Sequence, residues 1–393
     1  MKSSSLGLAT QCARAGSVPR HSGANEPVQP SIVQSAIFDL GGAEEAEAIF
    51  SGARKGYAYS RFGNPTVDVL ARTLADLEGG AEALVVSSGN AAVLCAITTA
   101  LHERTGPLVT HPDIYGGSFE LLRILGSVYR LPVETVDPAD EKAWLSAVER
   151  AGAVLVETPS NPLMRLIDLA ATIERARSAG APVIVDNTVA TPLNQRPFEF
   201  GADWVIHSTT KYLNGHGDLI GGCVIRREPL TKAHRAIHKN LGGTVNAFEA
   251  WLVLRGLRTL ALRMEAHNRN AEAIAAWLAT RPEVKAVYYP GFPSHPQSAL
   301  FQRQMKRGSG LLSFELAGGE TAAMRFINRL KLIVHAVSLG GPETLVTLPA
   351  KSSHRGMTAA ARAQAGVGDG LIRLSAGLES TDDLVADLAQ ALG

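Results

Sequence analysis

Only three cysteines, Cys12, Cys95 and Cys223, occur in 393 residues, and they lie far apart. That spacing fits neither a disulfide scaffold nor a zinc site. A charge excess is missing too: 38 Lys and Arg stand against 37 Asp and Glu, for a net charge of +1. Nothing in that balance marks the chain for nucleic acid. No apolar run is long enough to span a membrane, and the start, from Met1 to Leu8, lacks a signal-length apolar stretch, which predicts a reducing cytoplasm. Neither an internal repeat nor a low-complexity tract is visible. What is present is a chain long enough for two domains and a large core. A soluble enzyme acting on a small molecule fits these exclusions best.

The first sixty or so residues are rich in Gly, Pro and Ser with little helical period. They read as an extended arm, residues 1–62, that needs another surface to lie against. From Thr66 onward, apolar strands alternate with amphipathic helices. The strands are Leu84-Val85-Val86, Pro107 to Thr110, Val133 to Val136, Val154-Leu155-Val156, Val183 to Asp186 and Val205-Ile206-His207. This alternation predicts an α/β fold with a mostly parallel sheet in a large domain, residues 63–253. A long helical stretch, roughly Ala247 to Leu278, leads into a smaller α+β C-terminal domain, residues 254–393. That domain holds the strands Gly310 to Leu316 and Leu371 to Ser375.

Chemistry concentrates in Ser208-Thr209-Thr210-Lys211-Tyr212-Leu213-Asn214-Gly215-His216. A lysine directly behind hydroxyls can form a Schiff base with an aldehyde while the hydroxyls hold a phosphate, a combination that points to pyridoxal 5'-phosphate (PLP). Upstream, the buried run Val183-Ile184-Val185 ends in Asp186, and active sites of open α/β sheets lie at such strand ends. A carboxylate there would keep the pyridine nitrogen protonated. Ser87-Ser88-Gly89-Asn90 follows a strand and opens a helix, where backbone N–H groups and the helix dipole make an anion site. Tyr115, next to Gly116 and Gly117, is placed to stack on a planar ring, and Asn161 sits in a turn at the end of another strand. Arg373 offers a planar fork for a substrate carboxylate. Taken singly each has a plain structural explanation: a glycine after a strand makes a turn, and an isolated lysine is solvated. Their occurrence in one chain, each at a strand end, favours a site.

These segments resemble the PLP enzymes of cysteine and methionine metabolism, the trans-sulfuration family. It has fold type I, the aspartate-aminotransferase-like fold, and includes cystathionine γ-lyase, cystathionine γ-synthase and methionine γ-lyase. The likeness runs from Tyr57-Ala58-Tyr59-Ser60-Arg61-Phe62-Gly63-Asn64-Pro65-Thr66 through the lysine segment to Arg373-Leu374-Ser375-Ala376-Gly377-Leu378-Glu379. The resemblance implies that Lys211 is the Schiff-base lysine, that Asp186 pairs with the ring nitrogen and that Tyr115 covers the ring. It implies that Ser88, Gly89, Asn90, Ser208 and Thr210 hold the phosphate. Tyr59 and Arg61 would reach the phosphate of a neighbouring subunit, so the resemblance implies a homotetramer built from dimers with shared sites. Thr188 and Asn161 would adjust the ring. Ser338 would support the lysine, with Leu339 beside the substrate and Arg373 on its carboxylate.

The chain departs from the family at its distal pocket. Cystathionine enzymes with Cγ chemistry usually carry an arginine a few residues after the Tyr-Gly-Gly element, where this chain has Glu120. A carboxylate in the pocket would repel cystathionine's distal carboxylate and favour a neutral or cationic leaving end, canavanine among them. Methionine γ-lyases often place cysteine where Gly117 stands, and Asn90 replaces a frequent methionine. Glu343 matches the γ-lyase and γ-synthase group. The expected activity is therefore PLP-dependent γ-elimination, with γ-replacement on an O-acylhomoserine as the alternative. A non-catalytic scaffold of the same fold is the reading from another class.

Overall fold

The computed structural model describes residues 6–17, 27–102, 104–293, 295–356, 358, 360, 362 and 365–393. The β-branched runs form strands β1 (Glu82–Val86), β2 (Leu108–Thr110), β3 (Val133–Thr135), β4 (Ala153–Glu157), β5 (Val183–Asp186), β6 (Trp204–His207) and β7 (Gly222–Arg226). They join in one sheet of order β1-β7-β6-β5-β4-β2-β3. Pairing from β3 to β6 is parallel, and only β7 runs against its neighbours β1 and β6. Alternate side chains go to opposite faces. Leu84, Leu108, Leu155, Ile184 and Ile206 pack on one side, and Val109, Val154, Val156, Val183 and Val185 on the other. Burial on both faces explains why these strands read as unbroken apolar runs.

A second sheet contains β8 (Val284–Tyr288), β9 (Leu311–Leu316), β10 (Val334–His335), β11 (Leu345–Thr347) and β12 (Leu371–Ser375), in the order β10-β11-β12-β9-β8. All its pairings are antiparallel except β10 with β11. The first five helices among the described residues are α1 (Leu8–Ala13), α2 (Ala43–Ser51), α3 (Pro65–Glu78), α4 (Gly89–Ala100) and α5 (Gly116–Tyr129). No helix among the described residues is long and apolar enough to cross a membrane.

The expected arm is not uniformly extended. Residues 27–42 do lack helix or strand apart from a bridge between Ile37 and Tyr59. The helices α1 and α2, however, interrupt it, while residues 1–5 and 18–26 of the arm lie outside the described residues. The six residues of α1 are too few for helical periodicity to register in sequence. Burial of Cys12 and Ala15 against Leu74 and Leu254 supplies what propensity does not.

The single helix expected over Ala247 to Leu278 is two, Ala247–Leu257 and Leu260–Leu278. Tertiary contacts fix the break. Gly256 packs flat on the backbone of Asn214, and Arg258 Nε donates to the Ala15 carbonyl at 3.1 Å. Within the second helix, Leu260 and Met264 belong to the core under the first sheet, whereas Ala271, Ile274, Ala275 and Leu278 belong to the core of the second. Strands β7, β8, β10 and β11 are further additions to the sequence reading.

Candidate active site at the strand ends

The parallel register brings the last residues of β4, β5 and β6 side by side, with Glu157 opposite Asp186 and Asp186 opposite Ile206. Beyond β6 the chain turns, and the Lys211 N–H donates to the Ser208 carbonyl at 3.2 Å. Lys211 Nζ donates to Ser338 Oγ at 2.7 Å. Burial, assisted by the charge of Arg373, pushes the Lys211 ammonium down from 10.5 to about 8. A useful fraction of the amine is then unprotonated in mildly basic solution.

Ser338 adopts φ 94°, a left-handed conformation that non-glycine residues hold only where their surroundings enforce it. Arg373, projecting from β12, enforces it here by donating from Nη2 to the Ser338 carbonyl at 2.6 Å. The guanidinium is buried, and burial pushes it down to about 10. Its Nη1 reaches Asn161 Oδ1 at 3.4 Å, while Nε has no partner among the described residues. An incoming carboxylate would satisfy that donor. Because Asn161 accepts through Oδ1, its amide NH2 stays available to donate.

Asp186 keeps some exposure to the cleft, yet enough protein surrounds it that desolvation raises its carboxyl, an effect opposed by bonds from Thr188. The Thr188 N–H donates to Asp186 Oδ1 at 3.0 Å, and Thr188 Oγ1 accepts the Ser208 N–H at 2.9 Å. One threonine thus ties the acid to the lysine turn.

At the start of α4, Ser88 Oγ caps the helix by accepting the Ala91 N–H at 3.1 Å. The N–H groups of Gly89 and Asn90 have no acceptor among the described residues. A Cβ at Gly89 would press on Ser208 at 3.0 Å, so glycine lets the helix end meet the lysine turn. Thr210 Oγ1 accepts the Gly221 N–H at 3.0 Å. Free N–H groups, hydroxyls and a helix N-terminus form a cradle that fits a phosphate.

Tyr115 is 44% exposed at the head of α5. A Cβ at Gly117 would run into its ring, so Gly117 makes room for the tyrosine. The Tyr115 N–H donates to Glu157 Oε2 at 2.7 Å. Glu157 is buried, and desolvation and the Asp186 charge together push its carboxyl well above the usual range. The sequence pattern drew attention to Asn161 in the turn that follows, not to Glu157. The available signal was two consecutive apolar runs, Val154-Leu155-Val156 and Val183-Ile184-Val185, each ending in an acid.

Three expected residues stand differently. Glu120 is exposed and its carboxylate is already occupied: Arg123, one turn along α5, binds it through Nη2 at 2.5 Å and Nε at 2.9 Å. It therefore offers no free negative charge to a cationic leaving end. The Leu339 side chain is absorbed into the hydrophobic core with Tyr212 and Leu311, which leaves only its backbone for a substrate. Glu343 is exposed, with no hydrogen bond or ion pair among the described residues. Arg61 lies over the rings of Tyr59 and Phe62 at 5.5 and 5.0 Å and donates to the Lys239 carbonyl at 3.0 Å. Neither Tyr59 nor Arg61 bonds to Ser88, Asn90, Ser208 or Thr210 of its own chain.

Comparison with known proteins agrees with this chemistry. A family model described as Cys/Met metabolism PLP-dependent enzyme matches residues 9–393. The chain is 40% identical over 390 residues to an L-methionine gamma-lyase of Pseudomonas putida, covering 98% of this chain and 97% of that one. It is 43% identical over 364 residues to the cystathionine gamma-synthase of Escherichia coli K12, covering 92% of each. Among solved structures, the cystathionine gamma synthase of Xanthomonas oryzae pv. oryzae, in complex with aminoacrylate and cysteine, superposes with a TM-score of 0.90 at 43% identity. That match covers 98% of each chain.

Proposed function

The chain belongs to the PLP-dependent enzymes of cysteine and methionine metabolism, with their fold type I architecture, and we propose that it acts as a γ-lyase. Its substrate would be a Cγ-substituted L-amino acid, split with water into a 2-oxo acid, ammonia and the departing group. When bound, the cofactor supplies an electron-accepting ring that stabilises negative charge on the substrate carbons. The residues present fit it: Lys211 for the aldehyde, Asp186 for the ring nitrogen, Tyr115 for the ring face, and Ser88, Gly89, Asn90, Ser208 and Thr210 for the phosphate.

The observation that carries the reading is the placement of Lys211. Its amine, held by Ser338 Oγ and lowered to about 8, is suited to taking the Cα proton and delivering it elsewhere. Arg373 would orient the substrate through its carboxylate, with Asn161 and Thr188 steadying ring and substrate. The Tyr115 hydroxyl is the candidate for proton exchange with the leaving group.

The Glu120–Arg123 pair favours elimination. A replacement enzyme that adds cysteine must hold a second amino acid, carboxylate included, and if this turn of α5 lines the pocket, its cation Arg123 is already paired with Glu120. The same pair removes the basis for a cationic leaving end and leaves the neutral one. The second reading, replacement on an O-acylhomoserine, draws support from the likeness to cystathionine gamma-synthases.

Incubation with O-succinylhomoserine and with methionine, each with and without cysteine, tests the choice. A lyase makes 2-oxobutanoate and ammonia without cysteine. Turnover that waits for cysteine and yields cystathionine would establish the replacement reading instead.

We further propose a homotetramer of dimers, in which Tyr59 and Arg61 complete the partner's site. Exposed Ile37, Tyr59, Phe62, Ile220 and Phe248 suit burial against another copy.

A further inference from the structure

Glu157 ends β4 at 5% exposure, with Asp186 directly across the ladder on β5. Paired strands lie about 5 Å apart, so two carboxylates at neighbouring strand ends in poorly solvated surroundings resist ionising together. Glu157 Oε2 accepts the Tyr115 N–H at 2.7 Å, and Asn161 follows four residues along in the turn that Glu157 opens. That bond fastens the loop carrying Tyr115 to the end of β4.

We infer that Glu157 is a positioning residue for the cofactor: it seats Tyr115, and it holds the proton that it shares with Asp186, leaving Asp186 anionic toward the ring nitrogen. The inference rests on the proposed placement of Asp186 at that nitrogen and of Tyr115 on the ring.

The surroundings divide the pair in this sense. Toward Glu157 face Asp186 and Asp113, both of which favour its protonated form. His111, whose Nε2 accepts the Glu157 N–H at 3.0 Å, is kept neutral by burial, which pushes it down to about 3, and so adds no compensating cation. Arg165 spends its charge on Asp113 at 3.0 Å, and Asp137 also acts on Asp113. Toward Asp186, by contrast, Thr188 donates hydrogen bonds and His207 on β6 favours the anion. Burial raises both carboxyls, and although the Tyr115 N–H favours a Glu157 anion, Glu157 is the more buried of the two and has Asp113 as well as Asp186 pressing it toward the protonated form.

The test uses the PLP-loaded protein without substrate, comparing the parent with Glu157→Gln and Glu157→Ala. Glutamine keeps the shape and a neutral carbonyl for the Tyr115 N–H; alanine removes both. The infrared difference between parent and Glu157→Gln at neutral pH is expected to show loss of a protonated-carboxyl C=O stretch. Visible circular dichroism of the bound cofactor should survive in Glu157→Gln, with the PLP dissociation constant within about threefold. In Glu157→Ala the constant should rise about tenfold or more, the scale of a lost buried hydrogen bond. An unchanged carboxyl band, or glutamine as damaging as alanine, would overturn the inference. If the alanine variant does not fold, the infrared and dichroism results for glutamine still decide. A parent protein with no visible band would strike at the cofactor placement itself, before any variant is compared.

Discussion

At the residue scale, Lys211 has a proton affinity set by its surroundings, and that has a thermodynamic signature. Its folded value is about 8 and its ordinary value 10.5. Between those limits the unfolded chain binds a proton that the folded, cofactor-free chain does not, so this group makes stability rise with pH across the window. The contribution is up to about 3 kcal/mol. Replacing it, Lys211→Met, should make the variant more stable than the parent at the lower end of the window, with the difference shrinking toward the upper end. Urea unfolding of both cofactor-free proteins at the two ends measures this, and a pH-independent difference would refute the lowered affinity. Glu120 carries a second residue-scale expectation. Its exposed pair with Arg123 contributes little to stability, but Glu120→Gln would release a cation at the head of α5. The ratio of kcat/KM for cystathionine to that for methionine should then rise roughly tenfold, the effect of one new charge contact. No change in that ratio would place the pair outside the substrate's reach.

At the element scale, α3 carries the link between arm and sheet. Asn64 caps it by accepting the Thr66 N–H, and its amide donates to the Val33 carbonyl and Ser60 Oγ at 2.9 and 3.0 Å. Losing a cap together with buried bonds costs about 1–3 kcal/mol, so Asn64→Ala should lower the unfolding free energy by that amount and speed proteolysis within the arm. An arm digested at the parent rate would mean that Thr66, which bonds Val33 and Ser31, suffices to hold it. Elements also mark what sequence could and could not say. Strands β2, β4, β5 and β6 were legible because both faces are buried and the runs are apolar up to a polar last residue. The break at Arg258 and Thr259 was not, because local propensity continues through it and the cause is Gly256 against Asn214. In the candidate site, the sequence pointed to residue types that chemistry demands, Lys211, Asp186 and Arg373, and the fold puts Asp186 at a strand end and ties Lys211 and Arg373 together through Ser338. The site was illegible where a contact decides, as at Glu120 with Arg123 or Glu157 with Tyr115.

For the whole molecule, a site shared between subunits makes a quantitative prediction. Mixing Arg61→Ala subunits with Lys211→Ala subunits restores one intact site in each hybrid dimer. Random exchange at equal amounts should therefore recover about a quarter of parent activity. No recovery after exchange verified by mass spectrometry would leave Tyr59 and Arg61 without a role across the interface.

The helix Leu260–Leu278 has a consequence of another kind. Its 19 residues feed Leu260 and Met264 to one core and Ala271 to Leu278 to the other, so both halves borrow from one continuous rod. Neither half is a transplantable module. A chain cut within the rod would strand a greasy trough in each fragment, and a protein engineer grafting a foreign C-terminal region would have to carry the distal half of the rod with it. Calorimetry should accordingly record one heat-absorption peak for both sheets; two separated peaks would show that the rod can fray at its middle without cost to either side.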